Sequence, residues 1–208
     1  MIKAINISFQ YNENKQFAFP EIELYQGEQA LLLGASGSGK STYMNIIGGL
    51  HQGYKGDLSI ADQTVNTLNA NQLDQFRGKE IGIIFQESNL VQSLSLKDNL
   101  LLRLKLAGKS KDQQYWNTIL ETLGINDLLN QKVQTLSMGE RQRANIALAI
   151  IAQPKVILAD EPTSALDDEN AKQVIDLLKD ISEQHQITLL IITHDKRVKD
   201  HFNKQYSL

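Results

Sequence analysis

No cysteine occurs in the 208-residue sequence, which excludes a disulfide scaffold, thiol chemistry and a zinc–thiolate site. Long apolar runs are also missing, because no window approaches the roughly 18 apolar residues of a membrane span. Residues 1–15 lack the apolar core of a signal peptide. A net charge of −3 does not favour electrostatic binding of the whole domain to nucleic acid, so we expect no nucleic-acid partner. If the protein works at a membrane, another chain must supply the spans.

Hydrophobic residues make up 41% of the chain, which is enough for one domain with a sizeable core. A helix is expected over 40–50, a hairpin over 53–65 and an amphipathic helix over 168–184. Short apolar or alternating runs predict strands at 2–9, 30–34, 81–85, 155–160 and 187–193.

Between residues 87 and 153 the strand signal disappears and apolar residues recur at helical spacing. The pattern predicts a single α/β domain whose core, residues 1–86 and 154–208, is interrupted by a helical subdomain at 87–153. Only fourteen residues follow His194, so we expect no further domain.

The stretch GASGSGKS, Gly34 to Ser41, matches the phosphate-binding pattern G-x-x-x-x-G-K-[ST] between a predicted strand and a predicted helix. Its backbone N–H groups would surround phosphate oxygens. Lys40 would reach the β- and γ-phosphates, and the Ser41 hydroxyl would bind Mg²⁺. The alternative is a glycine-rich turn that matches by chance. The candidate nucleotide-binding residues here are Gly34, Ala35, Ser36, Gly37, Ser38, Gly39, Lys40, Ser41 and Thr42.

The stretch VILADEP, 156–162, places two acids at the end of a buried apolar strand. Asp160 would hold the Mg²⁺ ion through its water shell. Glu161 would face the space beyond the γ-phosphate, where a carboxylate can orient and deprotonate a water molecule. The alternative is an acidic pair that caps the strand.

The stretch TLSMGERQR, 135–143, predicts the start of a helix, because Ser137 and Glu140 have the spacing of a capping box. A helix N-terminus with a serine and a glycine is also a site for an anion. The chain would therefore carry a second candidate phosphate site, about a hundred residues after the first.

Six motifs follow one another along the chain: GASGSGKS, FQ at 85–86, LSMGE at 136–140, ILADEP at 157–162, SALD at 164–167 and THD at 193–195. This order resembles the ATP-binding cassette (ABC) ATPase family, and the resemblance covers essentially the whole chain. It implies an α/β fold: a P-loop NTPase core, with a RecA-like mixed sheet, flanking helices and an antiparallel β subdomain, and an inserted helical subdomain.

The resemblance also implies ATP and Mg²⁺ as cofactors, and a head-to-tail homodimer. Each nucleotide would lie between the phosphate-binding loop (P-loop, GASGSGKS) of one subunit and the signature helix of the other, which is the helix that starts at LSMGE. Ser137 and Gly139 would contact the γ-phosphate bound by the partner's Lys40, so each chain would carry two half-sites. A heterodimer with a related ATPase stays open.

Four further residues take their expected roles from the resemblance. Gln86 would touch the Mg²⁺ ion, with a surface or cap position as the alternative. His194 would contact the γ-phosphate and position the water, with a purely structural role as the alternative. Tyr11 would stack on adenine, with Phe9 or simple core packing as alternatives. Asp167 would organise the dimer contact, and it is also suited to cap the following helix.

The signature stretch departs from the family's usual Leu-Ser-Gly-Gly-Gln at two positions. Met138 replaces the first glycine, so its side chain must turn away from an incoming phosphate. Glu140 replaces the glutamine and adds a negative charge, although a capping acid would point back at the backbone of Ser137.

Within the family, residues 78–102 and 158–167 look similar to the ATPases of lipoprotein release, macrolide export and antimicrobial-peptide resistance. The implied partner is a separate permease at the cytoplasmic face of the membrane, whose helices would dock near residues 85–101. An importer of small nutrients, a cell-division ATPase that signals through a membrane protein, and a soluble cofactor-assembly ATPase remain alternatives.

Overall fold

The computed structural model describes residues 1–12, 15–164 and 166–208. The strands in this part of the chain are β1 (Ile2–Asn12), β2 (Lys15–Ala18), β3 (Ile22–Leu24), β4 (Gln29–Leu33), β5 (Lys55–Ile60), β6 (Gln63–Thr64), β7 (Ile81–Ile84), β8 (Val156–Asp160), β9 (Thr188–Thr193) and β10 (Lys204–Ser207). The α-helices are α1 (Lys40–Ile47), α2 (Ala70–Glu80), α3 (Leu96–Leu106), α4 (Gln113–Thr122), α5 (Met138–Ile150) and α6 (Asp168–Gln184).

A parallel sheet with the strand order β10–β4–β9–β8–β7 forms the centre of the fold. Strands β8 and β9 are buried along their whole length, which is why their sequences are continuous apolar runs rather than alternating ones. Because all five strands run the same way, the chain segments that follow β4, β8 and β9 meet at one edge of the sheet. The strands predicted at 30–34, 81–85, 155–160 and 187–193 are confirmed.

A second, antiparallel sheet is built around β1, which pairs with β2, β3 and β5. Strand β6 closes the predicted hairpin with β5. Helix α1 lies between the two sheets: its buried Tyr43 and Met44 belong to one apolar cluster with Ile2 of β1 and Leu32 of β4. The predicted α/β fold class is confirmed, with the parallel and antiparallel strands in separate sheets.

The segment between β7 and β8 holds α3, α4 and α5, whose apolar faces join the cluster on the other face of the parallel sheet. The predicted capping box at the start of α5 is confirmed. The backbone N–H of Ser137 donates to Glu140 Oε2 at 2.8 Å, and the backbone N–H of Glu140 donates to Ser137 Oγ at 3.3 Å. Glu140 therefore points back at its own helix.

Helix α2 and strands β2, β3 and β10 were not predicted from the sequence. Leu73 is the one buried residue of α2, so the helix has almost no apolar stripe to detect. Its start carries a capping box between Asn69 and Gln72, which is the local signal that reveals it. The other three elements have only three or four residues each.

Within the described part of the chain, no helix combines the length and apolarity that crossing a bilayer requires.

The contact between β7 and α5 leaves no room for a side chain at Gly82. A Cβ atom there would lie 2.5 Å from the carbonyl oxygen of Ala149, and neither backbone can move easily. We expect Gly82→Ala to lower the free energy of unfolding by about 1–3 kcal/mol. The melting temperature would fall by about 2–4 °C per kcal/mol.

Gly78→Ala in α2 is the matched control, because the nearest atom to its Cβ would be the Leu106 carbonyl oxygen at 3.4 Å. Alanine favours a helix over glycine by about 1 kcal/mol, so this variant should melt at or above the wild-type temperature. An unchanged melting temperature for Gly82→Ala, measured by calorimetry, would contradict the tight β7–α5 contact.

Candidate nucleotide-binding site

The glycine-rich loop between β4 and α1 forms one wall of the site. Gly37 and Gly39 adopt φ angles of 81° and 97°, a region that other residues avoid. A Cβ atom on Gly39 would lie 2.8 Å from the ring of Phe17. Gly39 is the N-cap residue of α1, and no side chain caps the helix. The N-terminus of α1 is thus suited to bind an anion.

Lys40, the first residue of α1, reaches back across this loop. Its Nζ atom donates to the carbonyl oxygens of Gly34 and Ala35 at 2.8 and 2.9 Å. It also lies 3.6 Å from Glu161 Oε1, with both side chains buried. The positive charge is held at the bottom of the loop, where the arriving phosphates would meet it.

Asp160 ends β8 behind α1 and is buried. Burial raises the pKa of its carboxyl group, and a hydrogen bond from the Ser41 hydroxyl opposes that shift. Its Oδ1 atom has no hydrogen-bond partner among the described residues. A buried carboxylate oxygen without a partner, next to a hydroxyl group, fits a hydrated Mg²⁺ ion, which takes few protein ligands and completes its shell with waters and phosphates.

Glu161 follows Asp160 and holds the strained φ angle of 49°. Its carboxylate accepts hydrogen bonds from Thr193 Oγ1 at 2.6 Å and from the backbone N–H of His194 at 3.1 Å. His194 Nδ1 lies 2.7 Å from Glu161 Oε1. Because an ionised carboxylate only accepts, Nδ1 carries the proton of this bond.

A cleft of about 320 Å³ joins these groups. It contains the loop, Gln86, Glu161 and His194 from the sequence-predicted set, together with Phe17, which sequence reasoning missed. The alternation of KQFAF at 15–19 is the signal that places Phe17 opposite Phe9 in the antiparallel sheet. The lining residues are Phe17, Ser36, Gly37, Gly39, Lys40, Ser41, Thr42, Gln86, Glu161 and His194.

Tyr11 lies beside this cleft. Its hydroxyl group is 3.0 Å from Thr42 Oγ1 in the first turn of α1, and its ring meets Phe9 edge to face at 4.8 Å. With 48% of its surface exposed, the ring is accessible to a planar ligand, so the adenine contact stays a prediction.

The signature residues lie outside the phosphate cleft. Gly139 and Asp167 line a separate cavity of about 290 Å³ between α5 and α6, where Met138 is 58% exposed. Asp167 caps α6 by accepting from the backbone N–H of Asn170 at 2.9 Å. Ala165 of the SALD motif lies outside the described residues.

A polar network next to Glu161, which is buried at Thr163 and Asp195, was also missed from the sequence. The Arg197 guanidinium beside Asp195 lowers the pKa of that carboxyl to about 2. Thr163 Oγ1 donates to Asp195 Oδ2 at 2.9 Å, and Arg197 also contacts Asp168 at 2.6 Å. The loop after β8 and the loop after β9 are therefore tied together, and no spacing in the sequence indicates this.

A phosphate-binding loop at the end of one parallel strand and an acidic pair at the end of another define a P-loop nucleoside triphosphatase. The family model described as ABC transporter matches residues 20–164, so the chain belongs to the ABC transporter ATP-binding family.

Two curated relatives share about a third of their residues with the chain. The lipoprotein-releasing system ATP-binding protein LolD of Saccharophagus degradans is 34% identical over 100% of this chain and 94% of its own. The bacitracin export ATP-binding protein BceA of Halalkalibacterium halodurans is 36% identical over 94% of this chain and 79% of its own.

The dimeric structure of MJ0796, a bacterial ABC transporter cassette, superposes on the chain with a TM-score of 0.87 and 31% identity, covering 100% of this chain and 94% of that one. A second dimeric structure of MJ0796, bound to ADP and phosphate after hydrolysis, gives a TM-score of 0.84 over the same shares of both chains and at the same identity. With the family match, these similarities identify the chain as an ABC-type ATPase that binds and hydrolyses ATP.

The buried charge of Asp160 predicts a gain of stability when it is removed. The pKa of this carboxyl is higher in the folded state than in the unfolded state. The free energy of unfolding therefore falls as the pH rises through the shifted pKa. At pH values above the shifted pKa the whole cost is present. Asp160→Asn should raise the melting temperature by about 2–4 °C without nucleotide, the effect of about 1 kcal/mol in a chain of this size.

Adding Mg²⁺ and ATP should raise the melting temperature of the wild type more than that of Asp160→Asn. The exposed Asp57 of β5 offers a control, since Asp57→Asn should change neither value. Scanning fluorimetry with and without ligands makes both comparisons. An Asp160→Asn protein that melts below the wild type in the absence of ligands would contradict the destabilising burial.

Proposed function

We propose that the chain is the nucleotide-binding subunit of an ABC transporter, with Glu161 as the general base of ATP hydrolysis. The observation that supports this most strongly is the position of the Glu161 carboxylate. It lies in the cleft with the phosphate-binding loop, 3.6 Å from Lys40, and three donors from Thr193 and His194 fix its orientation.

Ser41, Gln86 and Asp160 are the residues that would hold Mg²⁺. Ser41 and Gln86 line the cleft, and Asp160 lies directly behind Ser41. The bound ion would neutralise charge that develops on the β- and γ-phosphates. Lys40, now bonded to two loop carbonyls, would transfer its hydrogen bonds to phosphate oxygens.

Glu161 would take a proton from the attacking water, and His194 would keep that water and the γ-phosphate in place. The His194 side chain is 57% exposed, so its ring can turn from Glu161 toward a phosphate without disturbing the core. Tyr11, beside Thr42 at the start of α1, would stack on the adenine ring.

Ser137, Gly139 and Asp167 would act on the nucleotide of a second copy. They are exposed and lie outside the phosphate cleft of their own chain, and a Cβ on Gly139 would meet nothing closer than Arg143 at 3.7 Å. The dimeric form of the similar cassette MJ0796 supports a homodimer. Closure around ATP and opening after hydrolysis would supply the mechanical cycle.

The permease would dock in the groove between the core and the helical subdomain, which we place at residues 87–153. This groove, about 500 Å³ in volume, is lined by Leu50, Ile83, Phe85 and Leu148, and by Leu106, which is 72% exposed. A groove that combines these apolar residues with the charged Arg77 and Arg103 fits the amphipathic end of a partner's helix.

Export or extraction is the type of transport that the relatives favour. LolD is named for lipoprotein release and BceA for bacitracin export, and both match most of the present chain. We therefore place this protein at the cytoplasmic face of a membrane, bound to a separate permease. A nutrient importer and a division-type signalling ATPase are the competing assignments.

Glu161→Gln tests the catalytic assignment. Removing the basic carboxylate should lower ATP turnover by about 100-fold or more, while the neutral amide leaves ATP binding within a few-fold of wild type. The variant should then accumulate as an ATP-bound dimer, which sizing chromatography in Mg²⁺-ATP detects.

The double variant Lys40→Ala/Glu161→Gln serves as the control, because loss of the phosphate-binding charge should abolish both ATP binding and dimer formation. A Glu161→Gln protein that stays monomeric in Mg²⁺-ATP and hydrolyses ATP at the wild-type rate would overturn the proposal.

The partner can be identified by affinity capture of tagged Glu161→Gln from native membranes in Mg²⁺-ATP, with mass spectrometry of the bound proteins. Leu106→Glu in the same background should lose the permease but keep the ATP-driven dimer. We expect a permease with few spans and a large extracytoplasmic domain. A many-span permease with a solute-binding protein would indicate import, a division protein would indicate signalling, and only soluble partners would contradict the transporter assignment.

A further inference from the structure

Thr193, the last residue of β9, makes two hydrogen bonds through one fully buried hydroxyl group. Its Oγ1 atom lies 2.6 Å from Glu161 Oε2 and 2.9 Å from the backbone nitrogen of Asp195. In the sequence, this threonine stands out only as the first letter of the THD motif. The structure places it in direct contact with the residue proposed as the general base.

The direction of both bonds follows from the chemistry of the groups. The Asp195 N–H can only donate, so the Thr193 oxygen accepts it. An ionised carboxylate can only accept, so the single hydroxyl proton of Thr193 points at Glu161 Oε2. The hydroxyl group therefore has one orientation available, and it is committed to the carboxylate.

The two oxygens of Glu161 consequently have different surroundings. Oε2 accepts from the buried Thr193 hydroxyl group, whereas Oε1 accepts from the exposed His194 ring and faces Lys40 at 3.6 Å. The backbone N–H of His194 is shared between them, at 3.1 Å from Oε1 and 3.3 Å from Oε2. If the His194 ring turns away, Oε1 loses the bond from the ring and keeps the longer one from the His194 backbone N–H, so a lone pair of Oε1 opens to the cleft while Oε2 keeps its bond from Thr193. Thr193 thus decides which oxygen is available to take a proton from water.

Thr193 is itself fixed to the phosphate-binding loop. Its backbone carbonyl oxygen accepts from the N–H of Gly34 at 3.3 Å, and it lies opposite Leu33 in the parallel sheet. Thr193 therefore connects the phosphate-binding loop, through its backbone, to the Glu161 carboxylate, through its side chain. A displacement of a reacting group by about 1 Å can lower a rate by about 100-fold.

We infer that Thr193 is a positioning residue for ATP hydrolysis, which anchors Glu161 Oε2 and leaves Oε1 as the oxygen that acts on the water. This inference rests on the proposed role of Glu161 as the general base.

Thr193→Val removes the hydroxyl group and keeps the branched shape. We expect kcat to fall by about 10- to 100-fold, because the carboxylate loses its fixed orientation. The KM for ATP should stay within about two-fold, since Thr193 does not line the nucleotide cleft. Thr193→Ser, which keeps the hydroxyl group, should recover most of kcat.

Thr188→Val is the matched control. Thr188 is fully buried at the opposite end of the same strand, and its hydroxyl group donates to the Tyr25 carbonyl oxygen at 3.1 Å. The Thr188→Val variant removes a comparable hydroxyl group far from the cleft and should keep the wild-type kcat. If Thr193→Val does not bind ATP, Thr193→Ala takes its place in the comparison.

A double variant separates this inference from the proposed function. In the Glu161→Gln background, Thr193→Val should cause no further loss, because its effect passes through Glu161. Wild-type kcat in Thr193→Val, the same fold-loss in both backgrounds, or a failure of Thr193→Ser to recover activity would each overturn the inference while Glu161 remains the base. Wild-type turnover in Glu161→Gln would instead overturn the proposed function, and the inference with it.

Discussion

The hydrogen bonds between Glu161 and the end of β9 join the parts of the site. Thr193 and His194 both donate to the Glu161 carboxylate, and Thr193 also accepts from the first residue of the phosphate-binding loop. Three chain segments, after β4, β8 and β9, thereby have fixed positions relative to one another. This is possible because the three strands are parallel neighbours whose carboxyl ends lie at one edge.

The site has a cost that the rest of the fold must offset. Asp160 and Glu161 place two carboxylates at the end of a fully buried strand, and Glu161 does so with a positive φ angle. Lys40 is buried beside them and compensates part of the negative charge. The apolar clusters on the two faces of the parallel sheet supply the stabilising free energy. Strained and poorly satisfied groups concentrated in one cleft are typical of a functional site.

The start of the signature helix, α5, lies outside the phosphate cleft of its own chain, so in the proposed mechanism it would contact a nucleotide only in a second copy. Ser137 caps its own helix through a closed capping box with Glu140, so the departure at position 140 preserves local structure. Met138 is directed to solvent and leaves Gly139 accessible. The proposed head-to-tail dimer would bring this helix end to the cleft of the second copy, and it would give both phosphate sites of one chain a use.

The sequence by itself determined the elements whose signals are local: the glycine-rich loop, the buried strands β4, β8 and β9, the capping box at Ser137 and the helix α6. Their patterns arise from neighbours along the chain, such as the apolar continuity of a strand buried on both faces. Only the tertiary structure decided that Phe17 packs on Gly39, that Thr193 donates to Glu161, and that Arg197 ties Asp195 to Asp168. The contacts Phe17–Gly39, Arg197–Asp168 and Thr193–Glu161 join residues that are 22 to 32 positions apart in the sequence. Their geometry depends on how the sheets and helices pack.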